Sequence, residues 1–189
     1  YGKSSLRIID TVTGNVIREK KIGKQYFTEG IAMVDEKIFM LTWKEKKVLV
    51  FDGKSLEHLV DLRFETHTGQ GWGLTYDVAN KQLITSDGSD HIGFYTIPDN
   101  FMEGGTSLKF IHEITTKDKK GNSVGQLNEL EYDDRGFIYA NVWYKDVVLK
   151  IDAHSGTIVE HYDTSALYPK NKRSRTADCL NGIAINATD

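Results

Sequence analysis

Four similar segments organise the sequence, and each reads as the start of a β-strand. They are FTEGIA at 27–32, GWGLT at 71–75, LNELE at 127–131 and LNGIA at 180–184. Aligned on Gly30, Gly73, Glu129 and Gly182, they lie 43, 56 and 53 residues apart. Periods of about 40 to 50 residues, each holding several strands, are typical of β-propeller blades. The recurrence therefore predicts an all-β fold of the propeller type.

A second landmark in each unit is an apolar strand that ends near aspartate and is followed by a turn. The copies are SSLRIID at 4–10, KVLVFD at 47–52 and VVLKID at 147–152, with a weaker copy, HIGFYTI, at 91–97. Helical periodicity is sustained nowhere. The extra length of the longer units falls in polar stretches at 117–124 and 169–178, which we interpret as loops.

The phase of the repeats predicts how one propeller domain, residues 1–189, is divided. We expect a partial blade at 1–26, blades at about 27–70, 71–126 and 127–179, and the start of another blade at 180–189. Three full units between two incomplete ones leave strands unpaired. The interpretation we favour is a piece of a longer protein with incomplete first and last blades.

Composition narrows the function classes. The formal net charge of −3 gives no reason to expect nucleic acid or an anionic membrane as a partner. The single Cys179 rules out an internal disulfide and a cysteine-rich zinc site. No apolar run approaches the roughly 18 residues of a membrane helix, so we expect no membrane-spanning segment.

Glu29 is the first candidate for chemistry. If the strand starts surround the mouth of a propeller channel, then Glu29, Trp72, Asn128 and Asn181 converge although they are far apart in sequence. A carboxylate between aromatic faces is partly desolvated, which raises its pKa and suits it to proton transfer near neutral pH. Gly30 allows close approach of backbone or ligand. The alternative is that Glu29 is a solvated carboxylate at a strand end.

The three tryptophans, Trp43, Trp72 and Trp143, all lie within these units. They either pack between blades or form the wall of a pocket for a small group with a polar end. Glycines on both sides of Trp72 favour an exposed ring.

Other polar residues receive weaker assignments. Glu129 is expected to point opposite to Asn128 and Glu131 along a strand, so that one of the two faces meets the channel. The turn SDGS at 86–89 is interpreted as satisfying its own backbone. His67 has no partner at metal-ligand spacing, and we assign no metal role to any histidine. Asn186 begins a glycosylation acceptor pattern that is common by chance.

In this order, FTEGIA, LTW, GWGLTYD, SDGS, LNELEY, NVW and LNGIAI resemble the plant and bacterial type of glutaminyl cyclase, from about Ser4 to Ile185. The resemblance implies a five-bladed β-propeller that converts N-terminal glutamine of peptides or proteins to pyroglutamate without a cofactor. It also suggests an extracellular, periplasmic or secretory location. Two further family motifs, F-T-Q-G and T-G-K-x-W, would precede Tyr1 and follow Asp189.

The same resemblance implies roles for individual residues. Glu29 matches the catalytic glutamate, and five residues match the substrate pocket: Phe27, Trp43, Trp72, Asn128 and Trp143. Two alternatives stay open at this point. One is a propeller lactonase or esterase with a divalent metal bound by Glu29, Asn128 and Asn181. The other is a non-catalytic propeller that binds peptides across the channel mouth.

Overall fold

Short alternating and apolar runs separated by tight turns produce fourteen β-strands in the computed structural model, which describes residues 1–186. The first hairpin consists of β1 (Ser5–Ile9) and β2 (Val16–Lys21). The next sheet consists of β3 (Thr28–Val34), β4 (Lys37–Thr42), β5 (Lys47–Asp52) and β6 (His58–Arg63).

Two further sheets follow along the chain. One consists of β7 (Leu74–Asp77), β8 (Gln82–Ser86), β9 (His91–Thr96) and β10 (Lys109–Thr115). The other consists of β11 (Leu127–Asp133), β12 (Phe137–Val142), β13 (Val147–Asp152) and β14 (Ile158–Asp163). The helical elements of the described chain are two 3₁₀ turns, Phe101–Glu103 and Lys170–Lys172. No helix in residues 1–186 has the length and apolar character needed to cross a membrane.

Each four-stranded sheet is an antiparallel meander in which strands pair in sequence order. The central strands β4 and β5 are buried almost throughout, whereas the outer strand β14 is mostly exposed. A strand that is apolar along its whole length is expected where sheets cover both of its faces.

The sheets stack face to face, and an apolar layer fills each gap. Phe39 and Leu41 meet Leu83 and Tyr95 between the second and third sheets. A second layer lies between the third and fourth sheets, and a third joins the first hairpin to β4 and β5. Small antiparallel meanders stacked in sequence order confirm the predicted all-β, propeller-type fold.

The predicted aspartate turns connect the last two strands of a unit in three places. In each, a carboxylate oxygen of aspartate accepts the backbone N–H three residues later. The pairs are Asp10 with Thr13, Asp52 with Ser55 and Asp152 with Ser155, each at 2.7 Å. The unit of β7–β10 departs from this pattern, because residues 97–108 form a longer connection between β9 and β10.

The β-strand predicted to begin at residue 180 is not observed in segment 180–186. This segment forms no strand in the structure, although the N–H of Gly182 donates to Asn141 Oδ1 at 3.0 Å. A β-strand needs backbone hydrogen bonds to a neighbouring strand, and no strand in residues 1–186 forms them with this segment. The hydrogen bond to Asn141 nevertheless holds Gly182 and the adjoining Asn181 beside β12.

The innermost strands β3, β7 and β11 cross one another at backbone distance. The N–H of Gly30 donates to Trp72 O at 2.7 Å. A Cβ atom added at Gly30 would lie 2.4 Å from Leu74 N, and one added at Gly73 would lie 2.2 Å from Asn128 O. Both strand-start glycines therefore permit a neighbouring backbone to approach, which was one of the two roles expected for Gly30.

Replacing Gly73 by alanine is expected to destabilise the protein. The new methyl group meets only backbone atoms of β11, which cannot rotate away as a side chain can. Overpacking of this kind costs about 1–3 kcal/mol, which lowers the Tm by roughly 2–12 °C in a chain of this size. Thermal unfolding of Gly73→Ala measures the change.

Gly23→Ala is the matched control, because its Cβ would meet only the flexible side chain of exposed Gln25. Equal melting temperatures for Gly73→Ala and Gly23→Ala would contradict the proposed close crossing of β7 and β11.

Candidate functional site

All six residues predicted for the site line one cavity of about 510 Å³. They are Phe27, Glu29, Trp43, Trp72, Asn128 and Trp143. The cavity lies where β3 and β11 begin, beside the glycine-flanked Trp72 that precedes β7. Sequence reasoning also expected Asn181 to converge with this group, and it lines the same cavity.

A β-bulge occurs at the start of both β3 and β11. The pairing register shifts between Thr28 and Ile31, and again between Leu127 and Leu130. A bulge interrupts the alternation of side chains and redirects them. Thr28 and Glu29 therefore both face the cavity although they are neighbours in sequence.

The expectation that Glu129 points opposite to Glu131 is wrong. Both accept hydrogen bonds from β7, Glu129 from Leu74 and Glu131 from Thr75, because residues two apart on a strand share a face.

Glu29 is held in an environment that favours its protonated form. Burial, together with the negative charge of nearby Glu129, raises the pKa of the Glu29 carboxyl to about 7. Within residues 1–186 no hydrogen-bond donor reaches this carboxylate to offset the effect. A group with this pKa exchanges a proton readily at neutral pH.

Glu129 and Glu131 continue a row of carboxylates along the innermost strands. Burial raises the pKa of Glu129 to about 7, although its Oε1 accepts the N–H groups of Leu130 at 3.0 Å and Leu74 at 3.3 Å. Burial also raises the pKa of Glu131, which accepts a hydrogen bond from Thr75. The negative charge of one carboxylate thus raises the pKa of the next one in the row.

Aromatic rings enclose the carboxylate of Glu29. Phe27 meets Trp43 edge to face at 5.8 Å between ring centroids, and Trp72 meets Trp143 in the same manner at 5.6 Å. Phe27 and Trp143 are 38% and 39% exposed and form the rim. Trp72 rests on Gly88, where an added Cβ would lie 2.6 Å from the indole ring. Of the two interpretations of the tryptophans, the geometry matches the pocket wall.

Gln70 supports two walls of the pocket, and the sequence did not reveal it. Its Oε1 accepts the indole N–H of Trp43 at 2.5 Å and that of Trp72 at 3.2 Å. One side-chain oxygen therefore orients two walls of the cavity. Gln70 lies in the loop that precedes β7, where no strand periodicity predicts the direction of a side chain.

The turn at 86–89 does more than satisfy its own backbone. Asp87 accepts hydrogen bonds from Ser89 as predicted, and its second carboxylate oxygen accepts the N–H of Thr68 at 2.7 Å. Thr68 in turn lies two residues before Gln70. The turn thus fixes the loop that carries Gln70 and Trp72.

Asn128 is 6% exposed, and no group in residues 1–186 bonds to its side-chain amide. Its backbone oxygen accepts the hydroxyl of Ser86 at 2.6 Å. The amide therefore faces the cavity with its hydrogen-bonding capacity unused. A buried polar group in this state is suited to bind a polar ligand.

Asp178 and Cys179 complete the lining of the cavity. Asp178 is the last residue of the polar stretch interpreted as a loop, and Cys179 follows it. The length and composition of that stretch gave no indication that it returns to the site. Cys179 is a free thiol.

His67 has neighbours that sequence spacing could not show. A nitrogen of His67, a nitrogen of His91 and a carboxylate oxygen of Glu113 all lie within 4.8 Å of one another. The three residues come from a loop, β9 and β10, and they lie outside the cavity that contains Glu29.

Comparison with known proteins places these features in one family. A sequence model described as glutamine cyclotransferase matches residues 1–189. A glutaminyl-peptide cyclotransferase of Arabidopsis thaliana is 33% identical over 186 residues, which is 97% of this chain and 54% of the relative. The chain thus spans about half the length of that curated relative.

Solved structures agree with the fold. The crystal structure of Myxococcus xanthus glutaminyl cyclase superposes with a TM-score of 0.74 at 31% identity, covering 87% of this chain and 64% of that one. The WD40 repeats of RRP9 share the fold alone, with a TM-score of 0.52 at 12% identity over 78% of this chain and 42% of theirs. The chain belongs to the glutamine cyclotransferase family.

Proposed function

We propose that this chain carries the catalytic centre of a glutaminyl-peptide cyclotransferase that converts N-terminal glutamine of peptides or proteins to pyroglutamate. The observation that carries the proposal is a carboxyl group with a pKa of about 7, Glu29, in a cavity walled by three tryptophans. The names of the Arabidopsis and Myxococcus relatives support the same reaction.

The reaction requires one proton to be removed and one to be supplied. The α-amine nitrogen of the substrate attacks its own side-chain amide carbon, the new C–N bond closes the ring, and the old C–N bond breaks to release ammonia. Glu29 accepts the proton from the amine and then donates it to the departing nitrogen. A single carboxyl group whose pKa is near 7 can perform both steps, and such transfer contributes roughly 10²–10⁴-fold.

The negative charge that develops on the amide oxygen also needs a partner. The amide of Asn128 faces the cavity, and its N–H can donate to that oxygen. Donors placed in a partly dry site stabilise such a charge more strongly than water does. Asn128 is therefore assigned as the residue that polarises the substrate amide.

The tryptophans supply positioning. Holding the glutamine side chain folded brings its amide carbon close to its amine, which lowers the entropic cost of ring closure. The cavity of about 510 Å³ falls within the usual range for small-ligand sites. The exposed rim formed by Phe27 and Trp143 leaves room for the rest of a peptide to extend into solvent.

Glu29→Gln is expected to lower kcat by roughly 10²–10⁴-fold, because an amide cannot accept the proton of the amine. The variant keeps the shape of the carboxyl group and removes its charge. Ammonia release from a Gln-initiated dipeptide measures the rate, and the loss of one ammonia from the peptide mass identifies the product.

Glu57→Gln serves as the control, because Glu57 is an exposed carboxylate that lies outside the cavity. Turnover in Glu29→Gln equal to that of the control would refute the mechanism. Loss of wild-type activity on addition of a chelator, at an unchanged Tm, would instead support a metal-dependent hydrolase.

The pH dependence of kcat/KM should show an acidic limb near pH 7. Glu29 must be ionised to accept a proton, and its pKa is about 7, so activity falls as the pH drops below that value. Removing the negative charge of Glu129 in Glu129→Gln lowers the pKa of Glu29 and moves the limb to lower pH.

The substrate amine also titrates at about pH 7.7–8.0, but it does so equally in wild type and variant. The difference between the two pH profiles therefore reports on the enzyme alone. Superimposable limbs would show that Glu129 does not act on the catalytic carboxyl group.

Gln70→Leu is expected to raise KM more than it lowers kcat. The change removes the oxygen that accepts both indole N–H groups, at about 1 kcal/mol for each lost hydrogen bond. That corresponds to a KM higher by roughly fivefold to thirtyfold. Steady-state kinetics measures it, and Gln70→Glu, which keeps an acceptor oxygen, should restore a KM close to wild type. A wild-type KM in Gln70→Leu would contradict the orienting role.

A further inference from the structure

We propose that His67, His91 and Glu113 form a binding site for a divalent transition metal ion of the zinc class, separate from the cavity that contains Glu29. Their three ligand atoms lie within 4.8 Å of one another. Imidazole nitrogen and carboxylate oxygen are ligands that zinc accepts, and three protein ligands plus water are a common set.

The His91 and Glu113 pair already has the spacing of two ligands on one ion. His91 Nδ1 and Glu113 Oε1 are 3.2 Å apart. With metal bonds of about 2.0–2.1 Å at a tetrahedral angle, two ligand atoms are separated by about 3.4 Å. The sheet sets this spacing, because β9 and β10 pair so that His91 and Glu113 are diagonal neighbours.

His91 Nδ1 is a buried nitrogen without a hydrogen-bond partner in residues 1–186. It has no hydrogen bond, since Glu113 lies close to it but outside hydrogen-bonding geometry. A cavity of about 10 Å³ adjoins it and is also lined by His67, Thr85 and Glu113. A space of that size admits a single ion or water rather than a larger ligand.

His67 supplies the third ligand after a small rotation. Its ring stacks on that of His91 at 4.0 Å with an interplanar angle of 16°. Lone pairs lie in the plane of an imidazole ring, so two parallel rings do not point at one ion until one of them turns. His67 is exposed and lies in a loop, and its side chain is therefore the one that turns.

Surrounding charges favour a cation. Asp87 lines the same small cavity, and Asp90 Oδ1 lies 3.6 Å from His91 Nε2. A histidine that binds metal through one nitrogen commonly directs the other toward a carboxylate, which fixes its tautomer. Asp90 occupies that position for His91.

The site would connect the loop that carries Gln70 to the sheet of β9 and β10. His67 lies three residues before Gln70 and five before Trp72. A bound ion would add a second attachment for this loop beside the hydrogen bond from Thr68 to Asp87. The expected effect is stabilisation of the folded protein, because the ion binds the folded arrangement of the three ligands.

Titration of untagged, metal-free protein with Zn²⁺ tests the assignment by calorimetry, and Co²⁺ absorption reports the ligand geometry. We expect one Zn²⁺ per chain, a raised Tm, and affinity lowered by at least roughly tenfold in both His67→Ala and Glu113→Gln. Both substitutions are at exposed positions and leave the apolar layers untouched.

His154→Ala is the control, since His154 is exposed in the turn between β13 and β14. It should bind as wild type does. Absence of saturable Zn²⁺ uptake would overturn the assignment, as would unchanged affinity in either ligand variant. In those cases the contacts of His91 with Asp90 and Glu113 have no ligand-binding role.

Discussion

The close crossing of the innermost strands is the contact on which the other features of this structure depend. At Gly30 and Gly73 the backbone of one sheet touches the backbone of the next, with no room for a Cβ atom at either position. This contact brings the starts of β3 and β11 to one place, with Trp72 between them, while apolar layers fill the wider gaps between the sheets. The same crossing sets the distance between carboxylates that are a hundred residues apart in sequence.

Glu29 owes its raised pKa to that arrangement. The sheets partly bury Glu29 and Glu129, and the negative charge of either carboxylate raises the free energy of ionising the other. The free energy spent on burying these carboxylates is offset by the packing of the sheets around them. The aromatic wall, oriented through Gln70, then provides a surface against which a substrate can fold. The close strand crossing therefore underlies both the packing of the sheets and the raised pKa of Glu29.

The sequence predicted the fold and most of the pocket because both depend on local patterns that recur. Strand starts, apolar runs and aspartate turns can each be recognised from a short stretch of sequence. The pocket residues were predicted from the ordered set of motifs that resembles glutaminyl cyclases. The rest depends on contacts between distant segments. The bulge at Thr28 and Glu29 breaks side-chain alternation; Gln70 acts from a loop; and His67 meets His91 and Glu113 only after the sheets have formed. Composition and sequence spacing do not predict contacts of this kind.

The most direct measurement of the central claim is the titration of the Glu29 side-chain carboxyl by ¹³C NMR, with the resonance assigned through Glu29→Gln. The account predicts a midpoint at about pH 7, because burial and the charge of Glu129 both oppose ionisation. Opening the crossing with Gly73→Ala should lower that midpoint, since water then reaches the carboxyl group. A midpoint near 4.5 in the intact protein, the ordinary value for glutamate, would contradict the account.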